Sequence, residues 1–263
     1  MEKQPSYRCV ANSLEGFISQ LIRYISSGHY FYLTGRVPPR KDPAAVDRKL
    51  IALYDIDRPR WARARRRLGK QAGIHYLRHE QFFVIVATHG KSGFFNDHEQ
   101  SFRDIRRNAM YVGGYAIRYT WSATDKRWRV FVRLDRERYR SLKARMLELA
   151  LRQQYRAASA LETTFSGLPW QPYEPVRLQL RTIIRAVNRR RRYAGYSKIR
   201  VSCIPKMRTI GPVFVEGVAI HTSSYQAGGS CHGERNQVRE LANHVSSANT
   251  SESSAKRFQD SSA

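Results

Sequence analysis

The sequence predicts an α+β protein: a mainly antiparallel sheet with packed helices, then a long-helix region, then a disordered C-terminal tail. Three observations predict it. Residues 29–37, 74–90, 110–121 and 127–134 concentrate aromatic and β-branched side chains between glycines, prolines and short polar loops, as strands do. Around them apolar residues recur at the three- and four-residue spacing of helices. Beyond about His221, Ser, Gly, Asn and Gln dominate and too few large apolar residues remain to form a core. The expected parts are a sheet body over 1–135, a helical basic region over 136–208 packed on it, and a mostly disordered tail over 209–263.

In chain order, Leu14, Phe17, Ile18, Leu21, Ile22 and Ile25 predict the first helix, with Asn12 or Ser13 as N-cap and Gly28 as its stop. "HYFYLTGRV" reads as a strand ended by Pro38 and Pro39. Asp42 caps a second helix with Pro43 in its first turn, running to about Tyr54. Residues 57–70 form a basic, partly helical connection. Residues 74–90 read as two strands, or one broken strand, with the apolar run Phe82–Val86 at the sheet centre. "MYVGGYAIRYTW" and "RWRVFVRL" are two further strands joined by "SATDK". After Asp135, Leu142, Met146, Leu149 and Ala150 mark a long helix reaching towards Leu161. The rigid link "GLPWQPYEP" leads to a helix over 174–195, and "KIRVSCI" is a short strand.

Charge narrows the function classes. The formal charge is +26. Residues 209–263 hold four basic and five acidic residues, so the preceding 208 carry +27. Self-repulsion of that size opposes compaction, and the usual compensation is a polyanion. The start of the chain has no apolar stretch of signal-peptide type, and no run approaches the length of a membrane helix. Cys9, Cys203 and Cys231 are odd in number, widely spaced and form no CxxC pair. A reduced, cytoplasmic protein with no membrane partner is expected, with nucleic acid as partner and DNA ahead of RNA.

Two clusters carry that expectation. On the helix over 174–195, Arg177, Arg181, Arg185, Arg189 and Arg192 fall on one side, and Val176, Leu180, Ile183, Ile184 and Val187 on another. Like charges four residues apart cost a helix about 0.2–0.5 kcal/mol per pair, a cost that phosphates along the ridge would relieve. The second cluster is Arg58, Arg60, Arg63, Arg65, Arg66, Arg67 and Lys70. Trp61 lies within it, either stacking on an unpaired base or anchoring the segment by packing.

Chemistry is harder to read. Asp97, His98, Glu99 and Asp104 gather metal-ligand types, but the simpler reading is a short helix capped by Asn96 or Asp97, with the acids paired to Arg103, Arg106 and Arg107. "ATHGKSG" lacks the spacing of a nucleotide phosphate loop, because Ile85 stands where its first glycine belongs. No cofactor is expected from these segments. In "YRSLK", Tyr139 and Lys143 stand four apart on one helical face. This pair, together with "FYLTG", resembles the Tyr-x-x-x-Lys helix and first strand motif of rolling-circle replication initiators and relaxases, the HUH endonucleases. The resemblance implies a replication- or mobile-element-associated role, with Tyr139 as nucleophile towards a DNA phosphate, Lys143 as charge stabiliser and a divalent metal. The chain departs from that family by having no His-x-His pair. The nearest candidates are His75, His79, His89 and His98, and the first two would lie about 13 Å apart along a strand. The reading preferred is therefore a nucleic-acid-binding module, with a tyrosine endonuclease as the alternative.

Overall fold

A computed structural model describes residues 7–151, 157–168, 173–204 and 210–215. They are α+β, with helices packed on two antiparallel sheets. The chain divides into two units: residues up to Arg107 together with Pro212 onward, and Asn108–Gly211.

The first unit begins with α1 (Leu14–Ser26), whose N-cap is Ser13: its hydroxyl accepts the Gly16 N–H at 3.1 Å. β1 (Phe31–Arg36) follows, then α2 (Pro43–Leu53), where the Asp42 carboxylate accepts from the Ala44 and Ala45 N–H groups. The basic connection contains α3 (Arg60–Leu68). β2 (Ile74–His79) and β3 (Phe82–Ala87) form a hairpin, with Glu80 at φ 53° in its turn. α4 (Gly93–Asp97) and the short β4 (Arg103–Asp104) complete the unit. The sheet order is β2-β3-β1-β4, so the apolar run of β3 is central, as expected.

Alternation along β3 sends side chains to both faces. Phe83 and Ile85 join Leu33, Val46, Leu50, Ile51, Tyr54 and Phe94 in one buried cluster under α2 and α4. On the other face Phe82 meets the edge of Phe17 from α1. Gly35 is required on β1, because a Cβ there would meet the Phe83 ring at 2.2 Å. α2 is tied to β2 by a buried ion pair: the Asp47 carboxylate accepts from Arg78 Nε at 2.8 Å and from the Tyr76 hydroxyl at 2.5 Å. The outer edge of β2 is covered by Cys9–Ala11. The tail expected from residue 209 starts inside this fold: Ala11 pairs with Phe214, and the Asn12 N–H donates to Val213 O at 2.8 Å. The disorder expected beyond His221 falls outside the described residues.

The second unit has the sheet β5 (Met110–Val112), β6 (Tyr115–Ser122) and β7 (Arg127–Leu134). The single strand expected over 110–121 is divided, because Gly113 and Gly114 adopt φ 54° and 82° and turn the chain. α5 (Arg136–Leu149), α6 (Ala157–Ser166) and α7 (Glu174–Tyr193) follow. One helix was expected from about Leu142 towards Leu161; α5 stops at Leu149 and α6 starts afresh at Ala157. The Gln179 side chain of α7 exchanges two hydrogen bonds with the Leu134 backbone, at 2.8 and 3.1 Å. The hairpin thus belongs with α7, and the division falls after Arg107 instead of after residue 135.

The strand expected in "KIRVSCI" is a 3-10 turn, Val201–Cys203. Its neighbours' backbone groups are already taken: Asn188 pairs both polar groups of Ile199, and Glu162 accepts the Arg200 N–H. No helix among the described residues is long and apolar enough to cross a membrane.

Candidate nucleic-acid interface

α3 buries only Ala62, so its arginines are free to serve an outer surface. Lacking a side-chain N-cap bond, it gains from Arg65, Arg66 and Arg67 in its last turn, where cations complement the helix dipole. It forms one wall of a cleft of about 1220 Å³ within the first unit. Arg58, Arg60, Arg63, Arg66, Arg67, Lys70 and Arg106 line this cleft against a single carboxylate, Asp55. Arg58 pairs with Asp55, Arg66 stands 3.7 Å from it, and Arg106 pairs with Asp104. Arg60, Arg63, Arg67 and Lys70 have no ion pair among the described residues. Arg58 is held below the ordinary guanidinium range, by burial first and by the neighbouring Arg66 charge second, and its buried Nε has no acceptor.

Three histidines, His29, His75 and His89, also line the cleft, and the first two lie side by side. His29 Nδ1 lies 3.0 Å from Tyr24 O, to which it donates. His75 stacks on Tyr24 at 4.2 Å, and its Nδ1 lies 3.2 Å from the Tyr7 hydroxyl. That hydroxyl also accepts the Tyr76 N–H and lies 3.0 Å from Tyr76 O. The rings are 4.9 Å apart, and because His29 Nδ1 donates to a carbonyl, the neutral His29 ring presents Nε2 as an acceptor. Burial pushes His75 down to about 3, with His29 and Arg63 adding to the effect. His29 is lowered chiefly by burial, with the Arg67 and Arg63 charges acting in the same direction. The cleft therefore pairs permanent cations with neutral imidazoles. The lining segment Lys70–Ala72 is closely approached by Gly90: at φ 146°, a Cβ there would meet Ala72 N at 2.6 Å.

The sequence-derived residues are placed as follows. Arg63, Arg66 and Arg67 line the cleft. Arg65 does not; its guanidinium lies over Trp61 at 5.2 Å. Trp61 is 64% exposed, so it anchors no core. On α7 the expected apolar residues Val176, Leu180, Ile183, Ile184 and Val187 are buried. Arg185, Arg189 and Arg192 are exposed, whereas Arg181 is half-buried and Arg177 is paired with Glu174. Arg191, within the same run, is structural: buried, it donates to Ser197 O and Ala150 O. His29 and Arg106 were missed by sequence reasoning, since only the fold brings them to the α3 segment.

Tyr139 and Lys143 are half-buried on α5 in the second unit, whereas the four candidate histidines belong to the first. "FYLTG" is β1 of the four-stranded sheet. His98 is 1% exposed, and its Nε2 is 2.6 Å from the Tyr54 hydroxyl, so it serves the core. The cap in its segment is Ser92 instead of Asn96 or Asp97. Among the described residues no three His, Cys, Asp or Glu side chains group to hold a metal ion. These histidines do not fit the metal centre that the resemblance implies.

Compared with known protein families, curated proteins and solved structures, the chain matches none.

Proposed function

We propose that this protein binds nucleic acid, with the α3 cleft as its phosphate site and α7 as a second basic surface. The observation that carries the reading is the gathering of Arg60, Arg63, Arg67 and Lys70 without ion pairs beside two neutral histidines in one cleft. Arginine forks match phosphate oxygens, and the neutral His29 Nε2 accepts a hydrogen bond from a base amino group or sugar hydroxyl. DNA is the polyanion favoured, on the resemblance of "YRSLK" and "FYLTG" to initiator motifs. The same resemblance supports a role beside replication or mobile-element DNA.

The test is affinity for duplex DNA, single-stranded DNA and RNA over a salt series. Four phosphate contacts give a slope of about −3.6 in log K against log salt on duplex DNA. Binding that is absent, or indifferent to salt, contradicts the reading.

A further inference from the structure

The hairpin of β6 and β7 extends beyond its own core. β5 pairs with β6 only from Tyr115 to Ile117, so past that point the sheet narrows to two strands. Along one face run Tyr115, Ile117, Tyr119 and Trp121 of β6, opposite Leu134, Val132, Val130 and Trp128 of β7. The inner end is closed: Tyr115, Ile117, Val132 and Leu134 are buried. The outer end is open: Trp121 is 53% exposed and Trp128 50%. The same alternation that builds the core thus delivers two tryptophans to solvent, with Tyr119 half-buried beside them.

The rings are ordered with respect to one another. Tyr119 and Trp128 stack at 5.7 Å with planes 24° apart, and Trp121 meets Trp128 edge-on at 6.4 Å. Residues 115–134 hold five basic residues and one acidic, Asp125. Asp125 pairs with Arg129, whose guanidinium also lies over Phe131 at 5.6 Å. Arg118 and Arg133, on the face opposite the tryptophans, have no acidic partner among the described residues.

We propose that the outer half of this hairpin is a stacking platform for the unpaired bases of single-stranded nucleic acid. The inference rests on the nucleic-acid reading and adds to it a second site and a strand preference. Aromatic faces take any base, and the hairpin's excess of positive charge draws a polyanion towards it. A duplex hides its base faces and offers only edges, which tryptophan cannot read by hydrogen bonding. A second copy of the hairpin would bring the same excess of positive charge against itself.

The experiment measures affinity of the full chain for a short oligothymidylate and for a duplex of matched length, with Trp121→Ala/Trp128→Ala and Trp128→Phe beside the unmodified protein. The double variant should lose about tenfold or more for the single strand and nothing for the duplex. Trp128→Phe, which keeps a ring at 128 and leaves Trp121 in place, should retain most of the unmodified protein's single-strand affinity. Unchanged melting temperatures confirm that both variants fold, as half-exposed side chains allow. Normal single-strand affinity in the double variant overturns the platform and leaves the cleft reading standing. An equal loss on both ligands overturns it too, as does a tryptophan-dependent affinity for anionic lipid vesicles with no single-strand effect. Failure of the unmodified protein to bind either oligonucleotide overturns the nucleic-acid reading itself.

Discussion

His75 carries a charge state that the unfolded chain does not share. Its ordinary value is 6.5, and the fold pushes it down to about 3. Between those values the unfolded chain holds the extra proton, so stability falls as pH drops through that window and is fully present above it. His75→Gln should flatten the pH dependence of the denaturation midpoint between about 6.5 and 3 relative to the unmodified protein. Parallel profiles would contradict the burial of that ring. Gly90 is the other decisive residue, since its φ of 146° and its approach to Ala72 leave no room for a side chain. Gly90→Ala should cost about 1–3 kcal/mol in chemical denaturation; an unchanged midpoint would mean that Gly90 does not pack against the 70–72 backbone as described. Neither role is visible in the sequence. "THGKS" reads as a failed phosphate loop until Ala72 is seen across from it.

Elements with one local cause were legible. α1 has its period and Ser13, α2 has Asp42 and Pro43, and β3 has an apolar run that suits only a sheet centre. Elements set by competition were not. The Gly113–Gly114 turn splits a pattern that alternates plausibly across it, and Asn188 and Glu162 withdraw the backbone partners that a strand near Ile199 would need. The tie between α2 and β2 was equally hidden, because Asp47 sits on an ordinary helix and Arg78 on an ordinary strand. Asp47 is fully buried with two hydrogen-bonding partners. Asp47→Ala leaves the Arg78 charge without its counterion and should destabilise the first unit by about 3–5 kcal/mol. Equilibrium unfolding checks this, and a loss under about 1 kcal/mol would class the pair with surface ion pairs.

For the molecule as a whole, the excess of positive charge was the clearest signal in the sequence, and its distribution the least clear. The run from Arg58 to Lys70 announced a basic segment. That it forms one wall of a cleft shared with His29, His75 and Arg106 depends on contacts between residues far apart in the chain. The α7 ridge was legible as an amphipathic helix, yet Arg191 turned inward to hold Ser197 and Ala150. Charge counting alone would rank α7 above α3. Arg185, Arg189 and Arg192 lack ion pairs among the described residues just as Arg60, Arg63 and Arg67 do, so it is the concave site around the α3 arginines that ranks them the other way. The measurement that decides is the salt dependence of duplex DNA binding for Arg60→Gln/Arg63→Gln/Arg67→Gln beside Arg185→Gln/Arg189→Gln/Arg192→Gln. The cleft account predicts that the α3 variant flattens the slope by about 2.7, at 0.9 per lost contact, and that the α7 variant flattens it less. An unchanged slope in the α3 variant, with the loss confined to α7, would contradict it.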